Sequence, residues 1–156
     1  MPEINNFSYI DEGKGYPLVL VHGFLGNAEM WRPQIDEFKK YFRVIAPDLP
    51  GYGKNNKYKL INSIEGFASE IFNFLQNLKI EKFNLLGHSM GGMIVQQMSV
   101  NFSSHINKLI CYSTGSIGEM PNRFETIDES RKKIKANGLE IASLNIAKTW
   151  FVNGEN

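Results

Sequence analysis

The sequence is short of cysteine, histidine and net charge, and each shortage removes a class of function. A single cysteine, Cys111, excludes an internal disulfide framework. It lies in the apolar run Leu109-Ile110-Cys111-Tyr112, which reads as a buried strand and makes the thiol a small core residue. Three histidines and one cysteine, scattered along the chain, offer no metal-ligand spacing, so no metal site is expected. Lys and Arg total 17 against 16 Asp and Glu, a formal net charge of +1. Nothing in that balance points to nucleic acid or an anionic membrane surface as a partner. The one basic run, Arg131-Lys132-Lys133-Ile134-Lys135, reads as the solvated face of a helix. No apolar run reaches the roughly 20 residues that a membrane span needs. Residues 1–6 have no basic start followed by an apolar stretch, so a cytoplasmic protein is expected.

What is present suits a globular chain with one real core: 156 residues, 42% hydrophobic and 21% charged. Phe7 to Glu12 can form a short edge strand. Leu18-Val19-Leu20-Val21 is a continuous branched run, the pattern of a strand covered on both faces. Glu29 to Lys40 reads as a helix with Trp31, Ile35 and Phe38 on one side, and Arg43 to Ala46 as the next strand. From Asn62 to about Leu78 an apolar stripe recurs at helical spacing, with Asn62 as N-cap and Glu65 as its capping-box partner. Phe83 to Leu86 is a strand, Ser89 to Phe102 a helix, and Lys108 to Tyr112 a strand. This alternation calls for parallel pairing with right-handed crossovers, hence an α/β sheet with helices on both faces. Beyond Ser113 the pattern becomes helical, with Asp128 to Asn137 and Leu139 to Phe151 separated by Gly138.

Three short segments carry the chemistry. Gly87-His88-Ser89-Met90-Gly91 falls between a strand and a helix. A serine at such a sharp turn is held in strained backbone geometry that lifts its hydroxyl above the sheet. The following helix directs its positive end at the same point and favours negative charge on a carbonyl under attack. His22-Gly23-Phe24-Leu25-Gly26 follows the strand ending at Val21, and Gly23 allows close backbone approach. A tetrahedral intermediate needs two preorganised N–H donors; Met90 and Phe24 are the expected pair. Asp48-Leu49-Pro50-Gly51-Tyr52-Gly53 reads as a turn in which Asp48 braces the loop. Trp31, Tyr52, Met93, Trp150 and Phe151 are candidates for a pocket lining, with core packing the plainer reading of each.

Together, V-H-G-F at 21–24, D-L-P-G-Y-G at 48–53 and G-H-S-M-G-G at 87–92 resemble the α/β-hydrolase family over roughly residues 7–115. Within it the chain is similar to the 3-oxoadipate enol-lactonase and carboxylesterase-like branch. The resemblance implies Ser89 as nucleophile and the N–H groups of Phe24 and Met90 as oxyanion hole, with His22, Gly23, Gly87, His88 and Gly91 supporting the motifs. It implies residues 1–115 as the N-terminal part of the core and 116–156 as the start of a helical cap. A small carboxylic ester or lactone is the expected substrate, with no cofactor. A cofactor-free haloperoxidase or a C–C bond hydrolase would share these motifs.

The chain departs from the family in one respect. The family orders its triad as Ser, then Asp or Glu, then His. Here His22 and His88 precede Ser89, and His105 falls where the helix after Ser89 ends. The triad acid and histidine are thus absent from these residues, and the chain reads as a sheet truncated before its last strands. A non-catalytic ligand-binding or interaction module is the competing expectation.

Overall fold

A computed structural model describes residues 3–4, 7–59, 61–116 and 126–149. The chain divides into two compact units, residues 1–116 and 117–156.

The first unit is built on six strands: β1 (Glu3–Ile4), β2 (Phe7–Glu12), β3 (Pro17–Val21), β4 (Arg43–Pro47), β5 (Phe83–His88) and β6 (Ile106–Tyr112). Their order across the sheet is β1-β2-β4-β3-β5-β6. The pairs β4–β3, β3–β5 and β5–β6 are parallel, whereas β1–β2 and β2–β4 are antiparallel. The mostly parallel α/β sheet expected from the alternating pattern is therefore present, with one added short strand at its N-terminal edge.

Alternation along the central strands divides the core into two layers. Val19 and Val21 of β3 join Ile45, Leu85 and the apolar stripes of α2 (Ile64–Asn77) and α3 (Met90–Asn101). Leu18 and Leu20 point the other way, onto Trp31 and onto Ile35 of α1 (Arg32–Phe38). The α2 stripe is the one expected: Phe67, Ala68, Ile71, Phe74 and Leu75 are all buried. Burying side chains of this size contributes about 1.5–3 kcal/mol each, which is what holds helix to sheet.

Several boundaries differ from the sequence reading. Ser63, not Asn62, caps α2, its hydroxyl accepting from the Gly66 N–H at 3.1 Å. The helix expected over 29–40 is split into a 3₁₀ turn, Ala28–Trp31, and α1, with Pro33 in the first turn where its missing N–H does no harm. The larger correction concerns β6. Leu109, Ile110 and Tyr112 are exposed, and so is Cys111, which is not the small core residue it was expected to be. Among the described strands β6 pairs with β5 alone and ends the sheet.

In the second unit the described residues form α4 (Ile127–Lys148). Thr126 caps it, accepting from the Glu129 N–H, while the Glu129 carboxylate accepts from the Thr126 N–H at 2.7 Å. Gly138, at φ 81° and ψ 163°, breaks the helix at the expected position. Trp150 and Phe151 lie outside the described residues.

Candidate active site

The site is assembled at the carboxyl ends of β3, β4 and β5, where the parallel strands deliver three loops to one edge of the sheet. β5 ends at His88, α3 begins at Met90, and Ser89 alone makes the turn between them. Its backbone stands at φ 54° and ψ −119°, in the left-handed half of conformational space. A side chain there costs about 1–3 kcal/mol and persists only where the surroundings impose it. They do so through four hydrogen bonds. The Ser89 N–H donates to the Tyr112 carbonyl at 3.1 Å, and the Ser89 carbonyl accepts from the N–H groups of Gly92 and Met93. The Thr114 hydroxyl donates to that same carbonyl at 2.6 Å. Tyr112 and Thr114 escaped the sequence reading because nothing in their local pattern links them to a residue some 25 positions upstream.

The glycines of the motif are steric necessities. A Cβ on Gly87 would lie 2.3 Å from the Gly91 carbonyl oxygen, and one on Gly91 2.3 Å from that of Val21. Strand and helix can meet this closely only with bare backbone at both positions. The same closeness brings the loop after β3 to the turn at Ser89: a Cβ on Gly23 would sit 3.0 Å from the Ser89 Cβ. Phe24, the next residue, is 45% exposed, and Leu25 turns the chain with φ 59°. Met90 opens α3, so its N–H has no intrahelical acceptor.

The histidines are placed by what binds their rings. His22 is fully buried; the Leu49 N–H donates to its Nε2 at 2.9 Å, and its Nδ1 lies 2.8 Å from the Gly23 carbonyl. With Nε2 accepting, the proton must sit on Nδ1, and burial holds the imidazole below its usual pKa. Both nitrogens are thus occupied, Nε2 in tying the β3 loop to the β4 loop and Nδ1 within the β3 loop. His88 packs its ring between Trp31 and Tyr112, and burial also lowers its pKa. His105 follows the far end of α3, roughly 18 Å of helix away from Ser89. Its Nδ1 meets the Glu81 carbonyl at 2.7 Å. Among the described residues, then, His22 has both ring nitrogens and His105 its Nδ1 bonded elsewhere, while the buried Nδ1 of His88 has no hydrogen-bond partner.

Asp48 braces its loop, as expected. Its buried carboxylate accepts from the Ala28 N–H at 2.7 Å and the Lys54 N–H at 2.9 Å, and its carbonyl accepts from the Asn55 side-chain amide. Of the pocket candidates, Trp31 is a core residue, whereas Tyr52 reaches toward the site, its hydroxyl 3.9 Å from the Met90 sulfur. Among the described residues no group of His, Cys, Asp and Glu could hold a metal ion, and no helix is long and apolar enough to cross a membrane.

The chain is similar in sequence and fold to known proteins. Over 147 residues the chain is 38% identical to the (E)-2-((N-methylformamido)methylene)succinate hydrolase of Acinetobacter baylyi, covering 94% of this chain and 55% of that relative. A thermophilic esterase from Thermogutta terrifontis superposes with a TM-score of 0.79 at 26% identity, over 92% of this chain and 53% of the esterase. The enol-lactonase of Burkholderia xenovorans gives a TM-score of 0.79 at 22% identity, over 94% and 56%, a likeness of fold alone. The chain thus spans about half the length of these proteins. Residues 16–139 match the family model described as alpha/beta hydrolase fold, and the chain belongs to that family.

Proposed function

We propose that the whole protein is a serine hydrolase of small carboxylic esters or lactones that works through an acyl-enzyme at Ser89. The observation that carries this reading is the strained turn at φ 54° with Gly23 packed against the Ser89 Cβ. The Ser89 oxygen attacks the substrate carbonyl carbon, and the charge forming on the carbonyl oxygen is met by the N–H groups of Phe24 and Met90. The acyl C–O bond breaks and its oxygen takes the proton given up by Ser89, departing as the alcohol of an ester or staying tethered in an opened lactone; water then adds to the acyl carbon, releases the acid and returns a proton to Ser89. The chemistry needs no cofactor.

A serine hydroxyl near neutral pH needs a base, and removing triad members leaves only the oxyanion site and binding. Since His22 and His105 are hydrogen-bonded elsewhere and the His88 ring packs between Trp31 and Tyr112, the base and its acid partner are assigned to parts of the whole protein outside these 156 residues. Residues 116–156 are assigned to the start of a helical cap. The Acinetobacter relative is named for a substituted succinate, which makes carboxylate-bearing acyl compounds the first substrates to assay.

The test is covalent labelling of the full-length protein with a fluorophosphonate. Ser89 should be the modified residue, and Ser89→Ala should abolish the label. Undiminished labelling in the variant refutes the assignment. A wild-type protein that folds yet takes no label favours the alternative, a ligand-binding module that keeps the turn without the chemistry.

A further inference from the structure

We infer that Tyr52 is a positioning residue, a spacer that holds the two oxyanion donors, Phe24 and Met90, at their working separation; this rests on the serine-hydrolase reading. Tyr52 lies in the loop after β4, far in sequence from both donors, yet it touches each. Its ring stands edge-on to Phe24, with centroids 6.2 Å apart and planes at 77°. Its hydroxyl is 3.9 Å from the Met90 sulfur. A thioether is a weak acceptor, so the contact with Met90 is one of packing more than of hydrogen bonding.

The ring is itself held from behind. It meets His22 at 5.5 Å and 68°, and Phe67 of α2 at 6.3 Å. The Tyr52 N–H donates to the Leu49 carbonyl at 2.9 Å, and the Leu49 N–H donates to His22 Nε2 at 2.9 Å. A chain of contacts therefore runs from the buried base of the β3 loop, through the β4 loop, to the two residues that flank Ser89. Phe24 gains the most from it. It is 45% exposed, and among the described residues Tyr52 is the aromatic ring against it. An amide aimed at an oxyanion must be held to a fraction of an ångström, and misplacement by about 1 Å can cost about 100-fold in rate.

The experiment measures the kinetics of fluorophosphonate labelling of Ser89 in the full-length protein, separating the maximal rate constant from the half-saturating concentration. For Tyr52→Leu, which keeps apolar bulk and loses the ring, the maximal rate constant should fall about tenfold, less than the ~100-fold cost of deleting an oxyanion donor outright. The half-saturating concentration and the final labelled fraction should stay close to wild type. Tyr52→Phe should recover most of the rate. Should Tyr52→Leu lose its cooperative melting transition, Phe24→Leu carries the same expectation, because it removes the exposed partner of the same contact.

A Leu variant that labels within twofold of the wild-type rate overturns the inference. So does a smaller labelled fraction at an unchanged rate, which would mark a purely structural role, or a Phe variant as slow as Leu. Absence of labelling in the wild-type protein would instead sink the serine-hydrolase reading beneath it.

Discussion

In β3, Val19, Leu20 and Val21 are completely buried, whereas in β6 Ile110 and Tyr112 leave 47% and 60% of their surface in solvent. Both segments are apolar runs, and both invite the same reading as interior strands. What separates them is position. β3 lies between β4 and β5, with α2 and α3 packed on one face and α1 on the other. β6 has a described neighbour on one edge only. The contrast extends to the loops: a buried histidine and a close-packed glycine follow β3, whereas Ser113, just after β6, is exposed. A hydrophobic run therefore reports that a strand can be buried, and the neighbours decide whether it is.

The comparison can be broken most forcefully by truncating both strands. Leu20→Ala should destabilise by about 2–5 kcal/mol, because the hole it leaves is walled by packed neighbours. Ile110→Ala in the same chain should cost less than about 1 kcal/mol, since much of the side chain is already in water. Chemical denaturation of the two variants measures both, and equal losses would mean that β6 is covered after all.

A second test uses pH, and the expected effect is smaller. Burial keeps His22 neutral in the folded protein at a pH where the unfolded chain's imidazole is charged. The unfolded state then binds more protons, so stability is complete above the ordinary value of 6.5 and declines as pH falls below it. The slope should approach about 1.4 kcal/mol per pH unit for such a histidine. His22→Asn should reduce it, leaving the share that His88 contributes in the same direction, and denaturation midpoints at about pH 7.5 and about pH 5.5 give the comparison. A slope unchanged by the substitution would remove His22 from the account.

The smallest effect sharpens the contrast between strand ends. Ser89 after β5 and Ser113 after β6 share the left-handed region, at φ 54° and 47°. Glycine at either position should raise stability by about 1 kcal/mol, because the backbone penalty is the same in kind. Only Ser89→Gly should also lose the fluorophosphonate label. Thermal melting of the two variants, alongside labelling, shows whether the strain at Ser89 is local or imposed by the Tyr112 and Thr114 contacts.

Much of the fold was legible because it is written in local periodicities. The α2 stripe, the alternation of strand and helix, and the break at Gly138 each follow from spacing or from a single residue's backbone freedom. The cap at Ser63 in place of Asn62 shows the limit of that reading, since two adjacent residues can both accept the first free N–H groups. The capping box at Thr126 and Glu129 is equally local, its threonine and glutamate standing three apart. At the site, Ser89 and the glycines around it announce themselves by type and spacing. The residues that hold Ser89 in place do not, because Tyr112 and Thr114 reach it from the end of the neighbouring strand.

The amino-acid order by itself determined the succession of strands and helices, the turn at Ser89 and the family to which the chain is similar, since propensity, spacing and glycine sterics are local. Only the tertiary structure decided that Cys111 is exposed, that both His22 nitrogens are occupied, and that Tyr52 stands between Phe24 and Met90. Those facts depend on which segments the sheet brings side by side, and no window along the chain contains both partners of such a contact.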